Sequence, residues 1–151
     1  MNLLKFILLI VLANSCSQQA VAFRVTGRLG NMTCFYPKVF LSAINDINDI
    51  YSANYQNIIA SSAMDSGGNF AITGNDLPHE ERFYLLYVNP DSGITTSIYV
   101  GSQCNFILLA LSDQSDITIS CPDFCSPYFK YSIGNSTANS ELLSVRAIVK
   151  D

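Results

Sequence analysis

Alternation of apolar and polar side chains runs through most of the chain, which is the period of a strand with one buried face. It is clearest from Ile59 to Gly74, IASSAMDSGGNFAITG, where Asp65-Ser66-Gly67-Gly68 supplies the positive φ of a short connection. Asn69 to Thr73 then sets Phe70 and Ile72 on one face and Asn69, Ala71 and Thr73 on the other, so the stretch predicts a hairpin with one face turned to a core. Phe23 to Leu29 alternates as well, with Phe23, Val25 and Leu29 opposite Arg24, Thr26 and Arg28, and Gly27 predicts a bulge. After the turn at Gly30-Asn31, Lys38 to Ile44 reads as a second strand entered through Pro37 and is expected to pair with the first.

Asn45 to Gln56 is polar and Asn-rich and predicts a connection, with Tyr51 and Tyr55 folded back or offered as a binding face. Asp46, Asn48 and Asp49 suggest a calcium loop only superficially, since the oxygen ligands break off at Ile50 and the sharp-turn glycine is missing. Phe83 to Val88 is dense in strand formers and predicts a central strand, and Thr95 to Val100 returns after the Asn89-Pro90-Asp91-Ser92-Gly93 turn. Cys104 to Leu111 is a buried strand by its length and flanking turns, Asp116 to Cys121 alternates with Ile117 and Ile119 inward, and Tyr128 to Ile133 reads as the last strand. That makes about eight strands, the number of a sandwich. Residues 134–139 form a polar hinge, followed by a helix capped by Asn139 or Ser140, with Leu142, Val145 and Val149 near one face. The absence of a stop signal at Asp151 suggests a helix that continues into a longer protein.

The fold expected is therefore all-β, an antiparallel β-sandwich with a short C-terminal helix. Its core is expected to hold Phe70, Ile72, Leu85, Ile107, Leu109, Ile117 and Ile119. The organisation expected is a leader over 1–22, one sandwich domain over 23–133, and the hinge and helix over 134–151. At 49% hydrophobic and 13% charged residues the chain is suited to folding rather than disorder, and one domain is the default at 151 residues. A net charge of -4, with eight Lys and Arg scattered singly, argues against nucleic acid as a partner.

Met1 to Ala13, one lysine followed by the apolar run Phe6 to Ala13, has the form of a signal peptide and is too short to span a bilayer. Ala20-Val21-Ala22 fits a signal-peptidase site that would release a chain starting at Phe23. Ala13-Asn14-Ser15-Cys16 is the rival, a lipobox-like run that would leave an acylated Cys16 and a lipid-anchored protein. Export to a periplasmic or extracellular space is common to both. Cys34, Cys104, Cys121 and Cys125 then remain as disulfide candidates. Of three connectivities, Cys121 with Cys125 and Cys34 with Cys104 is favoured because Pro122 and Pro127 bend the short loop. A zinc site fits the spacing poorly, and Cys121-Pro-Asp-Phe-Cys125 closes a strand where a redox-active Cys-x-x-Cys opens a helix.

His79 is the single histidine; His79-Glu80-Glu81 lacks the second His of a zinc protease, and no Gly-x-Ser-x-Gly elbow accompanies it. No catalytic residue, metal ligand or cofactor is assigned. Asn31-Met32-Thr33 and Asn135-Ser136-Thr137 match the glycosylation sequon, which matters only in a eukaryotic host.

The order Val25-Thr26-Gly27-Arg28-Leu29, Lys38-Val39-Phe40-Leu41, the Asp-x-Gly-Gly-x-Phe-x-Ile-x-Gly core of Ile59 to Gly74, Phe83-Tyr84-Leu85 and Phe106 to Ile119 resembles the N-terminal β-sandwich domain of unknown function of exported Bacteroidota proteins. That domain is found ahead of thioredoxin-like domains and in periplasmic sensor regions. The likeness covers most of Phe23 to Ser120; a transthyretin-like secreted module shares the same glycine-turn logic. The four cysteines depart from the family's pattern, and it carries over no active-site residue. The function expected is a noncatalytic extracytoplasmic binding or sensor module, the N-terminal part of a longer envelope protein, a reading motivated by the helix that runs to Asp151, with another envelope protein or a small ligand as its partner. The other readings are a thiol-disulfide participant using Cys121 and Cys125, and a standalone secreted or lipid-anchored structural protein.

Overall fold

The alternating segments fold as strands because each has one apolar row to bury and no long helical stripe to compete with it. A computed structural model describes residues 23–50, 52–53, 55–93, 96–97 and 104–148, without the side chains of 52, 53, 96, 97 and 145–148. The leader, its two processing sites and Cys16 lie outside the described residues, as do most of Thr95 to Val100, Tyr51 and Val149.

Two four-stranded sheets face each other. The first is ordered β10 (Ser132–Gly134), β9 (Asp116–Cys121), β1 (Phe23–Leu29) and β5 (Asn69–Gly74). The second is ordered β4 (Ile58–Ala63), β2 (Lys38–Ala43), β6 (Arg82–Val88) and β8 (Phe106–Leu111). A third pair, β3 (Ser52–Ala53) with β7 (Thr96–Ser97), joins the β2–β4 and β6–β8 connections. The sandwich is mixed rather than wholly antiparallel, because β1 runs parallel to β9, with Val25 opposite Ile117 and Leu29 opposite Cys121.

Two expected pairings and one expected bulge are corrected. The two strands of Ile59 to Gly74 do not form a hairpin: β4 pairs with β2 and β5 with β1, so the turn is an arch from one sheet to the other. β1 and β2 likewise belong to opposite sheets, and their connection crosses between them. Alternation specifies which face of a strand is buried, but either an in-sheet neighbour or an opposing sheet can bury it. Gly27 makes no bulge, since the β1–β5 register is continuous through Gly27 opposite Phe70. It is a close-approach site: a Cβ there would lie 2.6 Å from the Ile119 carbonyl oxygen and 2.9 Å from the Phe70 ring. The irregularity lies instead in the β2–β4 pair, where the register shifts between Leu41 and Ser42.

The core between the sheets holds Val25, Leu29, Leu41, Phe70, Ile72, Leu86, Ile107, Leu109, Ile117 and Ile119, all buried. Each contributes roughly 1.5–3 kcal/mol relative to exposure. Leu85 is buried as expected, but on the other face of its sheet, in a second cluster with Phe40 and Tyr87 whose rings stack at 5.2 Å. β6 lies between β2 and β8 and is apolar on both faces, with Tyr84, Leu86 and Val88 in the core between the sheets and Leu85 and Tyr87 in the second cluster.

The last strand is shorter than expected: Tyr128 is exposed with a φ of 55°, and pairing begins only at Ser132. The helix α1 (Thr137–Ile148) starts earlier than expected and is capped by Ser136, whose Oγ accepts the Asn139 backbone N–H at 3.2 Å. Asn139 is not the cap. Its buried side chain lies against β8, where Oδ1 accepts the Ala110 N–H and Nδ2 donates to the Ala110 carbonyl, both at 2.8 Å. The amide thus takes the place of a neighbouring strand at an edge that no other strand among the described residues pairs with. Leu143, rather than Leu142, packs against the core.

Candidate functional site

Strand directions place three connections at one end of the sandwich: residues 30–37, 64–68 and 122–131. The first and last are joined by a Cys34–Cys125 disulfide with a Cα–Cα distance of 6.0 Å. This replaces the favoured pairing of Cys121 with Cys125 and Cys34 with Cys104. Cys121 ends β9 on the same inward row as Ile117 and Ile119, so its thiol enters the core while Cys125 lies beyond Pro122 on the loop. Cys104 is also buried, its thiol donating to the Phe106 carbonyl at 3.4 Å. Burial pushes the Cys121 thiol up to about 11, which leaves little thiolate at neutral pH.

The loops are tied by backbone bonds as well. Gly30 donates to the Cys121 carbonyl at 2.7 Å and accepts from Phe124 at 2.8 Å, Leu29 donates to Gly68 at 3.0 Å, and Met64 donates to Pro37 at 3.0 Å. The arch is organised by Asp65, whose carboxylate accepts the Gly67 N–H at 2.8 Å, the Asn69 N–H at 2.9 Å and the Asn69 side-chain amide. The Asn69 side chain, then its backbone N–H, holds the Asp65 carboxyl below its ordinary range. Gly68 has a φ of 79° and sits against the Leu29 carbonyl, so the glycine turn read from sequence is required here. Asn31 bridges to the 122–131 loop, donating to Asp123 Oδ1 at 2.6 Å. Beneath that loop Phe124 stands 5.6 Å from Phe35 and 4.3 Å from Phe129.

Between the 30–37 and 64–68 loops lies an open groove of about 510 Å³. Met32, Phe35, Pro37 and Met64 supply apolar lining, and Arg28, Asn31, Thr33 and Asp65 supply polar groups. Tyr36 and Tyr128 are exposed at the same end. Asn89 is buried there with its Oδ1 unpartnered, while its Nδ2 donates to the Gly93 carbonyl and its own carbonyl accepts from Tyr36. The arrangement offers shape, thioethers and hydrogen-bonding groups to a ligand.

The other candidates lie elsewhere. His79 is exposed at the far end, its Nδ1 3.2 Å from Asp113 Oδ1. Asp46 and Asp49 turn their carboxylates onto the backbone of their own 3-10 turn, at Asn48, Asn45 and Asp46. Among the described residues no group of three or more His, Cys, Asp or Glu is placed to hold a metal ion, and no helix is long and apolar enough to cross a membrane. The groove was not legible in the sequence, because its lining comes from separate segments, although the clustering of Met32 and Phe35 beside Cys34 was a visible signal. Comparison with protein-family models, curated proteins and solved structures finds no match.

Proposed function

We propose that the chain is a noncatalytic extracytoplasmic binding or sensor module whose contact surface is the disulfide-tied loop end. The observation that carries this reading is the mixed groove between loops 30–37 and 64–68, held in shape by backbone bonds, the Asp65 turn and the Cys34–Cys125 bridge. Rigid strands that present loops are the usual carriers of recognition, and a preorganised groove loses little freedom on binding. A structural disulfide belongs to an oxidising compartment, in keeping with the export read from residues 1–22. The alternative of thiol chemistry at Cys121 and Cys125 gains no support from a Cys121 thiol turned into the core and a Cys125 engaged with Cys34.

The test has two parts. Intact mass of the protein exported from its native host, with and without reduction, is expected to show a chain starting at Phe23, one disulfide and two thiols. Amide NMR with a panel of small amphipathic ligands is expected to shift residues of the 30–37 and 64–68 loops. Retention of residues 1–22 without acylation, or ligand shifts that avoid these loops, would sink the reading. A chain starting at acylated Cys16 would keep the module and place it on the envelope.

A further inference from the structure

Phe83 stands in solvent, 51% exposed, although Tyr84, Leu85, Leu86, Tyr87 and Val88 after it on β6 are all buried. The cause is the size of its neighbours. Across the β6–β8 pair the residue opposite Phe83 is Ala110, and α1 brings Ala138 alongside, so two methyl groups stand where larger side chains would have covered the ring. A hollow of about 390 Å³ is left between β6, β8 and α1, with Leu142 on its helical wall. On the other side of Phe83 a second hollow, about 190 Å³, is lined by Ile44, Ile59 and Leu77. Ile59 is itself 39% exposed.

The wall carried by α1 is held in place by the Asn139 amide on Ala110 and by the Ser136 cap, so the larger hollow is preformed. Its rim is acidic. Among the described residues, Asp76, Glu81 and Glu141 line the two hollows with Arg82 as the one cation, on a chain whose net charge is already -4. An exposed aromatic beside a preformed hollow is the usual form of an interface anchor, and rim charges select which partner approaches. A second copy of this chain meeting the face about a two-fold axis would bring together two patches that each hold more carboxylates than cations among the described residues, and an anionic bilayer would be repelled.

We propose that the Phe83 face is a docking site for a protein partner that presents large apolar side chains ringed by Lys and Arg. It lies at the opposite end of the sandwich from the disulfide-tied loops and does not depend on what they bind. The apolar side chains fill the hollow beside Ala110 and Ala138 and close over the Phe83 ring. The basic ring meets Asp76, Glu81 and Glu141, which speeds encounter at low salt.

The probes are two short synthetic peptides with the same Leu and Phe anchors, one flanked by Lys and Arg and the other by Glu. The mature protein is titrated with each and followed by amide NMR. The basic peptide is expected to shift Phe83, Ala110 and the start of α1, and to weaken with added salt. Phe83→Ser is expected to weaken it by about tenfold or more, the size of an anchor residue's loss. Ala138→Leu, which fills the hollow from the helix surface and leaves Phe83 in place, is expected to do the same, and the Glu81→Lys, Glu141→Lys pair is expected to remove the preference for the basic peptide. No binding by the basic peptide, equal binding of both, or binding indifferent to Phe83→Ser and Ala138→Leu overturns the proposal. Self-association that disappears in Phe83→Ser overturns it too, in favour of a second copy.

Discussion

Removing the Asn139 side chain tests whether α1 is part of the fold or an appendage. Asn139 is fully buried and makes a two-point contact with the Ala110 N–H and carbonyl at 2.8 Å each, at the edge of β8 that no strand among the described residues covers. Asn139→Ala deletes both bonds and leaves two buried backbone groups unsatisfied, each costing about 1–3 kcal/mol. Water entering the space recovers part of this, so the expected loss is roughly 2–4 kcal/mol. For a domain of this size that lowers Tm by roughly 10 °C, on a scale of about 3–6 °C per kcal/mol. Asn139→Asp keeps the acceptor for the Ala110 N–H but sets a carboxylate against its carbonyl, and is expected to lose at least as much at neutral pH and to recover partly in acid as the carboxyl takes up a proton. Urea unfolding gives the free energy, and hydrogen exchange at the Ala110 amide gives the local effect, since that amide is protected by a side chain rather than a strand. A loss below about 0.5 kcal/mol, the range of ordinary surface changes, with unchanged exchange at Ala110, would refute the clamp.

Three further outcomes follow from the same physics. Replacing Cys34 and Cys125 by Ser frees a loop spanning a sequence separation of 91, for which the chain-entropy estimate is a ceiling of about 4.6 kcal/mol; urea midpoints should fall, with exchange rising first in loops 30–37 and 122–131. Gly68→Ala is expected to cost several times the usual ~1 kcal/mol of a glycine replacement, because the residue has a φ of 79° and its Cβ would meet the Leu29 carbonyl oxygen at 2.0 Å; an unchanged Tm would show that the arch is free to rearrange. Alkaline pH should destabilise the fold: Cys121 ionises at about 11 when buried against an ordinary 9.0, so the unfolded chain gives up its proton first and stability falls as pH rises from about 9 towards 11, by roughly 3 kcal/mol in all. Cys121→Ser, followed by chemical unfolding across that range, should remove this part of the slope and leave the contribution of Tyr87, which burial pushes up to about 12.

The amino-acid sequence by itself determined the material of the fold. Side chains alternate with period two in any strand, so Phe70, Ile72, Ile117 and Ile119 could be assigned to a buried face, and the Asp65 to Gly68 turn could be placed from the need for positive φ at Gly68. Eight of the expected strands lie in the two four-stranded sheets, and the one read over Thr95 to Val100 lies mostly outside the described residues. Partner choice was decided only by tertiary structure. A buried face is satisfied equally by an in-sheet neighbour's flank or by the opposing sheet, so nothing local distinguishes a hairpin at Asp65 from the arch that forms, or foretells β1 lying parallel to β9. The disulfide followed from those pairings: Cys121 points inward with its strand, and Cys125 and Cys34 meet because β1 and β9 end side by side. The two surfaces proposed for binding were hidden for the same reason. The groove at Met32 and Met64 and the hollow beside Phe83 are spaces between segments distant in the chain, and a space is created by the neighbours a fold selects rather than by any one stretch of residues.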